Sequence, residues 1–216
     1  MKTIFLAVAF LFSVAAQAQQ NLKGAYKSKV ENEVILCLMD GYFVETKYNA
    51  DNKTFNYTWG GPFVKEGNKL LVTIHFDSRD KTAVGKTKEV TFGEKHLELI
   101  DKGENVLAGN WRMSGRKNGD QFTENPLRAR RTYKLLTGTR FQWMAINIET
   151  GEFSGTGGGT YQFINGKYTE NIAFFSRDSS RVGASLNFSG KIENGQWHHS
   201  GLSSKGEPIY EIWSKN

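Results

Sequence analysis

Residues 55–85 read FNYTWGGPFVKEGNKLLVTIHFDSRDKTAVG, and their period decides the fold. Phe55, Tyr57, Trp59 and Phe63 share one parity, and Leu70, Val72, Ile74 and Phe76 share another. A repeat of two is the spacing of strands, whose successive side chains point to opposite faces. Between the runs lies Glu66-Gly67-Asn68, a turn signal, so the stretch predicts a hairpin.

The same stretch recurs. Sliding the chain by 98 residues without a gap pairs 43–85 with 141–183 and gives 14 identities in 43 positions. Phe43 meets Phe141, Phe55 meets Phe153, Gly60-Gly61 meets Gly158-Gly159, and Ser78-Arg79-Asp80 meets Ser176-Arg177-Asp178. Fixed-period self-similarity marks a duplication. The expected organisation is two β repeats of about 98 residues, at 21–115 and 127–216, with a polar linker at 116–126. Further turn signals at Asp51-Asn52, Asn165-Gly166 and Glu193-Asn194-Gly195 space about seven strands per half, in the second near 131–136, 139–149, 152–163, 167–176, 182–192, 196–202 and 208–214. An antiparallel meander with one apolar face must close or pack against another sheet, since open edges invite pairing. Each half closing separately and both curling into one larger barrel satisfy this equally; two similar units in contact are the favoured arrangement.

Residues 1–18 read as a signal peptide: Lys2, the apolar run Ile4 to Ala16, and the small-x-small site Ala16-Gln17-Ala18. The expected product is exported, periplasmic or extracellular, cut after Ala18. Gln19 follows the cut, where a lipid-anchored protein needs cysteine, and no later apolar stretch suits a spanning helix. Removing Lys2 takes the net charge from +6 to +5, and the remaining charges are interspersed, which argues against nucleic acid as a partner. The basic run Arg128-Ala129-Arg130-Arg131 could dock an acidic surface, but a solvated connector is the commoner explanation, and the run is assigned no function. Cys37 is the single cysteine and sits in the apolar run 34–39, so it reads as a small buried side chain rather than a nucleophile.

The runs GTRFQWMAINIETGEFSGTGGGTY (138–161), KYTENIAFFSRDSSRVG (167–183) and WHHSGLSSKGEPIYEIW (197–213) resemble the small lipocalin-like secreted proteins of Gram-negative envelopes. The resemblance covers about 133–216 best. It implies an all-β, lipocalin-like β-barrel in an outer-membrane-facing or periplasmic setting, and it brings neither a ligand nor catalytic residues. The Gly-x-Trp opening of lipocalins stands here as Gly24-Ala25-Tyr26.

The duplication supplies an internal control. Where the first half has Tyr57 and Trp59, the second has Gly155 and Gly157, and where it has Val72 the second has Glu170. If that parity faces inward, the second half has room for a ligand, together with a carboxylate that must find a partner. Tyr161 and Tyr168 would share its lining, and Arg140 and Gln142 would join Glu170 unless Phe141 and Trp143 take the inward face instead. Alternatively Gly155 to Gly159 form a bulge and Glu170 meets water at a strand end. The repeated Ser-Arg-Asp reads as a hairpin whose Asp bonds local backbone. No metal or cofactor is expected: His198 and His199 are adjacent on a strand and so face opposite ways, and no metal, nucleophile-elbow or phosphate-loop motif is present.

The leading functional expectation is an exported binding protein for a small apolar or amphipathic molecule held in the second repeat. An envelope hydrolase or isomerase using Glu170 as acid and base is the first alternative. A glycan- or protein-interaction module presenting Trp197 and Trp213 is the second, although Trp213 alternates like a core strand residue.

Overall fold

The computed structural model describes residues 22–31, 33–203 and 205–216, so the expected signal peptide lies outside the described residues. The first half contributes β1 (Gly24–Ser28), β2 (Val34–Met39), β3 (Tyr42–Asn49), β4 (Thr54–Glu66), β5 (Lys69–Thr73), β6 (Phe76–Asp77), β7 (Thr87–Thr91) and β8 (Leu97–Asp101). The second contributes β9 (Gly109–Asn118), β10 (Gln121–Glu124), β11 (Arg130–Leu136), β12 (Arg140–Asn147), β13 (Phe153–Ile164), β14 (Lys167–Phe175), β15 (Ser185–Glu193), β16 (Gln196–Leu202) and β17 (Pro208–Lys215). Asn165-Gly166 and Asn194-Gly195 adopt positive φ at both residues, 50° and 76°, then 51° and 75°. That is the type I′ turn whose twist matches the strands it joins.

Strands β11 to β17 form an antiparallel meander, and β9 pairs with both β11 and β17. Eight strands thus close into a barrel, with β10 folded back onto β9 outside the ring. This corrects the expected organisation. Residues 109–118 are a stave of the second barrel rather than the end of the first repeat, and 116–126 is a hairpin arm rather than a connector. The physical reason is the two free edges a seven-strand meander would leave at β11 and β17, whose backbone groups β9 satisfies together. Trp111 and Met113 of β9 seat in the barrel's aromatic core, buried with Trp197 and Trp213.

The first half curls without closing. Its pairing runs β7-β5-β4-β3-β2-β1-β8, with β6 on β4, and among the described residues no pairing joins β7 to β8. One face is packed solid by Phe43, Trp59, Phe63, Leu70 and Val72. Several local features return 98 residues later. A bulge in the β3–β4 pairing between Lys47 and Tyr48 has its counterpart in β12–β13 between Ala145 and Ile146. Asp80 caps a short helical turn by accepting from the Thr82 amide, and Asp178 does so from the Ser180 amide. In both halves the Ser-Arg-Asp aspartate therefore bonds local backbone.

The two halves share a core in which Tyr42, Val44 and Phe76 meet Tyr133, Met144 and Ile146. Polar clamps fix its geometry. The Thr46 hydroxyl donates to Gln142 Oε1 at 2.8 Å, and Gln142 Nε2 donates to Thr58 and Thr156 at 3.0 and 3.1 Å. Asp101, from β8, accepts from the backbone amides of Gly138 and Thr139 and from the Thr137 and Thr139 hydroxyls, pinning the β11–β12 turn. Burial alone would raise the Asp101 pKa; the donors from Thr139, Gly138, Gly103 and Thr137 outweigh it and hold the carboxyl below the usual range.

Candidate ligand cavity

Strand alternation sends one side chain in two into the second barrel. On β14 these are Tyr168, Glu170 and Ile172, on β11 Lys134 and Leu136, and on β16 Trp197 and His199. From β17 come Glu211 and Trp213. Opposite them the β9–β17 register shifts, pairing Trp213 with Met113 and Glu211 with Arg116. The extra residue, Ser114, carries Arg116 onto the same face as Met113, as bulges do when they re-aim a strand.

One end of the barrel is plugged. Trp111, Phe141, Tyr161, Tyr168 and Trp197 fill it, and the Tyr161 hydroxyl donates to the Thr137 carbonyl at 2.6 Å. Toward the other end opens a cavity of about 460 Å³. Its apolar wall includes Trp143, Ile172, Phe175, Leu186, Phe188 and Trp213, and its polar groups include Lys134, Glu170, His199, Glu211 and Arg116.

Two charge groupings sit inside. Lys134 Nζ lies 2.9 Å from Glu170 Oε1, with side chains only 5% and 6% exposed. The Tyr168 hydroxyl donates to the same oxygen at 2.9 Å. Lys134 Nζ also stands 5.0, 5.3 and 5.5 Å from the ring centres of Trp213, Trp197 and Tyr168, within cation–π range. Burial, with Glu170 beside it, pushes the Tyr168 hydroxyl pKa well up.

The second grouping is His199 and Glu211. His199 is 2% exposed, its ring is 4.2 Å from that of Phe188, and its Nδ1 is 3.4 Å from Glu211 Oε2. This is an electrostatic contact, since the angles do not make a hydrogen bond. Burial first, and Lys134 second, push the His199 pKa down, so the ring is neutral near pH 7. Burial would raise the Glu211 pKa, but the polar edge of the neutral His199 ring, together with the Lys134 and Arg116 cations, outweighs it and holds the carboxyl below its usual range. Both His199 nitrogens and the Trp213 indole N–H are buried with no hydrogen-bond partner among the described residues, and both side chains line the cavity. Such groups suit a ligand carrying hydrogen-bonding atoms.

The expected site residues separate into groups. Glu170 lines the cavity, and Tyr168 lies beneath it holding its oxygen. Tyr161 belongs to the plug. Gly157 faces inward, but a side chain there would meet Trp143 Nε1 at 2.8 Å and Phe175 at 2.9 Å. A large ring still occupies this face from the neighbouring strand: the cross-strand pair Glu45–Trp59 carries its ring on β4, and Trp143–Gly157 carries it on β12. Gly155, at φ +147°, lies against the Arg177 guanidinium, which donates to the Ser154 carbonyl. The structure does not bring Arg140 or Gln142 to the cavity. Phe141 and Trp143 take the inward face of β12, leaving Gln142 in the clamp to Thr46 and Thr58, and Arg140 beside Tyr48 in a cleft between the halves. Cys37 is buried outside the cavity, and its thiol is pushed up to about 12 mainly by burial, which disfavours the thiolate that a nucleophile needs.

Lys134, His199, Glu211 and Arg116 were not found by comparing the halves, because the self-alignment covers only 141–183. Alternation could have found two of them: Trp197-His198-His199 and Glu211-Ile212-Trp213 each put a titratable group in step with a tryptophan.

No family model matches this chain, and no curated protein matches it. Among solved structures, a lipocalin-like protein from Bacteroides uniformis is similar at 13% identity and a TM-score of 0.36, over 52% of this chain and 100% of that one. The closed barrel stands on its own strand pairing.

Proposed function

We propose that this chain is an exported binding protein that holds a small amphipathic molecule in the cavity of its second barrel. One observation carries the reading: a closed barrel, plugged at one end, keeps about 460 Å³ free at the other between aromatic and aliphatic walls and a few convergent polar groups. Small-molecule sites have this size and mixture, and barrel mouths are where they occur. The signal-peptide pattern at 1–18, with cleavage after Ala18, supports a periplasmic or extracellular setting. In this reading Lys134, Glu170 and Tyr168 form a polar anchor already satisfied before ligand arrives, and His199 with the Trp213 indole offers hydrogen bonds to the guest.

The test uses a neutral reporter. Phenylnaphthylamine should brighten on binding wild-type protein, and Leu186→Trp, which adds a ring to the cavity wall, should abolish the signal while the melting temperature holds. Equal fluorescence from both proteins would contradict the proposal.

A further inference from the structure

Beside the cavity mouth lies a second cleft, of about 530 Å³, between β9, β10 and the start of β11. Five arginines line it, at positions 112, 116, 128, 130 and 131, against one acid, Glu124. Met113, Arg116 and Thr132 line both spaces, so the cleft adjoins the cavity.

Two of the arginines, Arg112 and Arg131, are oriented by groups that do not cancel their charge. Arg112 donates to the carbonyls of Asn125 and Met113 at 2.7 and 3.2 Å. Arg131 donates to the Arg128 carbonyl and, at 2.8 Å, to the Tyr133 hydroxyl. Among the described residues no carboxylate pairs with Arg112, Arg128, Arg130 or Arg131. Inside the barrel the opposite holds: Lys134 is engaged by Glu170, and Glu211 stands beside Arg116. The cavity lining sets Arg116, Lys134, Arg177 and Lys205 against Glu170, Glu207 and Glu211, close to balance, whereas at the rim Arg112, Arg128, Arg130 and Arg131 face Glu124 alone.

From this we infer the ligand's class: a single-chain amphiphile whose tail enters the barrel and whose phosphate-like oxyanion head rests on the arginine cleft. The inference rests on the cavity reading above. Guanidinium groups match the oxygens of such a head in paired hydrogen bonds, and groups already held in place lose less freedom on binding. Any anionic head buried beside Glu170 and Glu211 would meet like charge, whereas the rim lining holds no acid but Glu124, which places the head at the rim.

The test is calorimetric titration of the full mature chain, below micellar concentration, with decyl phosphate, monodecanoylglycerol, decyltrimethylammonium and inorganic phosphate. Decyl phosphate should bind at least about tenfold more tightly than the neutral and cationic chains, a difference of about 1.4 kcal/mol. Inorganic phosphate alone should bind far more weakly. The double variant Arg128→Gln/Arg130→Gln should lose that preference and keep phenylnaphthylamine binding, since neither residue lines the cavity; high salt should narrow the preference in wild type. Equal affinity for the three chains would overturn the head-group inference and leave the cavity reading standing. No binding of any chain, with phenylnaphthylamine also silent, would overturn both. Inorganic phosphate binding as tightly as decyl phosphate, or arginine-dependent capture by anionic phospholipid vesicles without binding of the free amphiphile, would also overturn it.

Discussion

Lys134 and Glu170 meet at 2.9 Å inside the second barrel, contributed by β11 and β14, with the Tyr168 hydroxyl closing the group at 2.9 Å. Two charges withdrawn from water gain from each other about what desolvation costs them, so the pair is a weak source of stability but an expensive thing to break. It sets the polarity of the cavity floor and fixes Glu170 against the wall.

Lys134→Met should therefore destabilise the fold by about 3–5 kcal/mol, because Glu170 is left buried without its cation. Adding Glu170→Leu to it should recover most of that loss. Urea denaturation of the single and double variants checks both; a single variant as stable as wild type would show that water reaches the site.

Acid should weaken the fold through His199. Burial depresses its pKa in the folded chain, so stability is complete above the unfolded value near 6.5 and falls as pH drops below it toward the folded value. His75 and His198 shift in the same direction, again mainly by burial. His199→Gln should flatten part of the decline in urea midpoint between about pH 7 and pH 5. An unchanged profile would mean the other histidines account for it.

Gly157→Ala should behave as overpacking. The new methyl group meets Trp143 and Phe175 at 2.8 and 2.9 Å, and their displacement should cost about 1–3 kcal/mol. Trp143→Ala in the same chain should relieve it, and non-additive melting temperatures in the double-mutant cycle are the expected result.

The strands were legible where the chain alternates between a buried and a wetter face: the expected 167–176 and 196–202 correspond to β14 and β16. The closing strand was not. Trp111 and Met113 carry the right parity, yet pairing with β17 is a contact across about 100 residues that no local pattern announces. Strand β12 was ambiguous for a related reason: it faces the barrel interior on one side and the first half on the other, so Phe141, Gln142, Met144 and Ile146 are all buried and alternation loses its meaning. Arg140 and Gln142 were drawn into the site on that ambiguity. Glu170 was legible because its counterpart 98 residues earlier is Val72. Trp143 shows the limit of such comparison, since a side chain missing at one position can be restored by its cross-strand neighbour.

The most direct measurement is the nitrogen–proton correlation spectrum of the five tryptophan indoles during titration with phenylnaphthylamine. Trp143 and Trp213 line the cavity, whereas Trp59 is sealed in the first half. The indole signals of Trp143 and Trp213 should shift progressively while that of Trp59 stays in place. Saturable binding that moves Trp59, or that leaves Trp143 and Trp213 untouched, would contradict a ligand site in the second barrel.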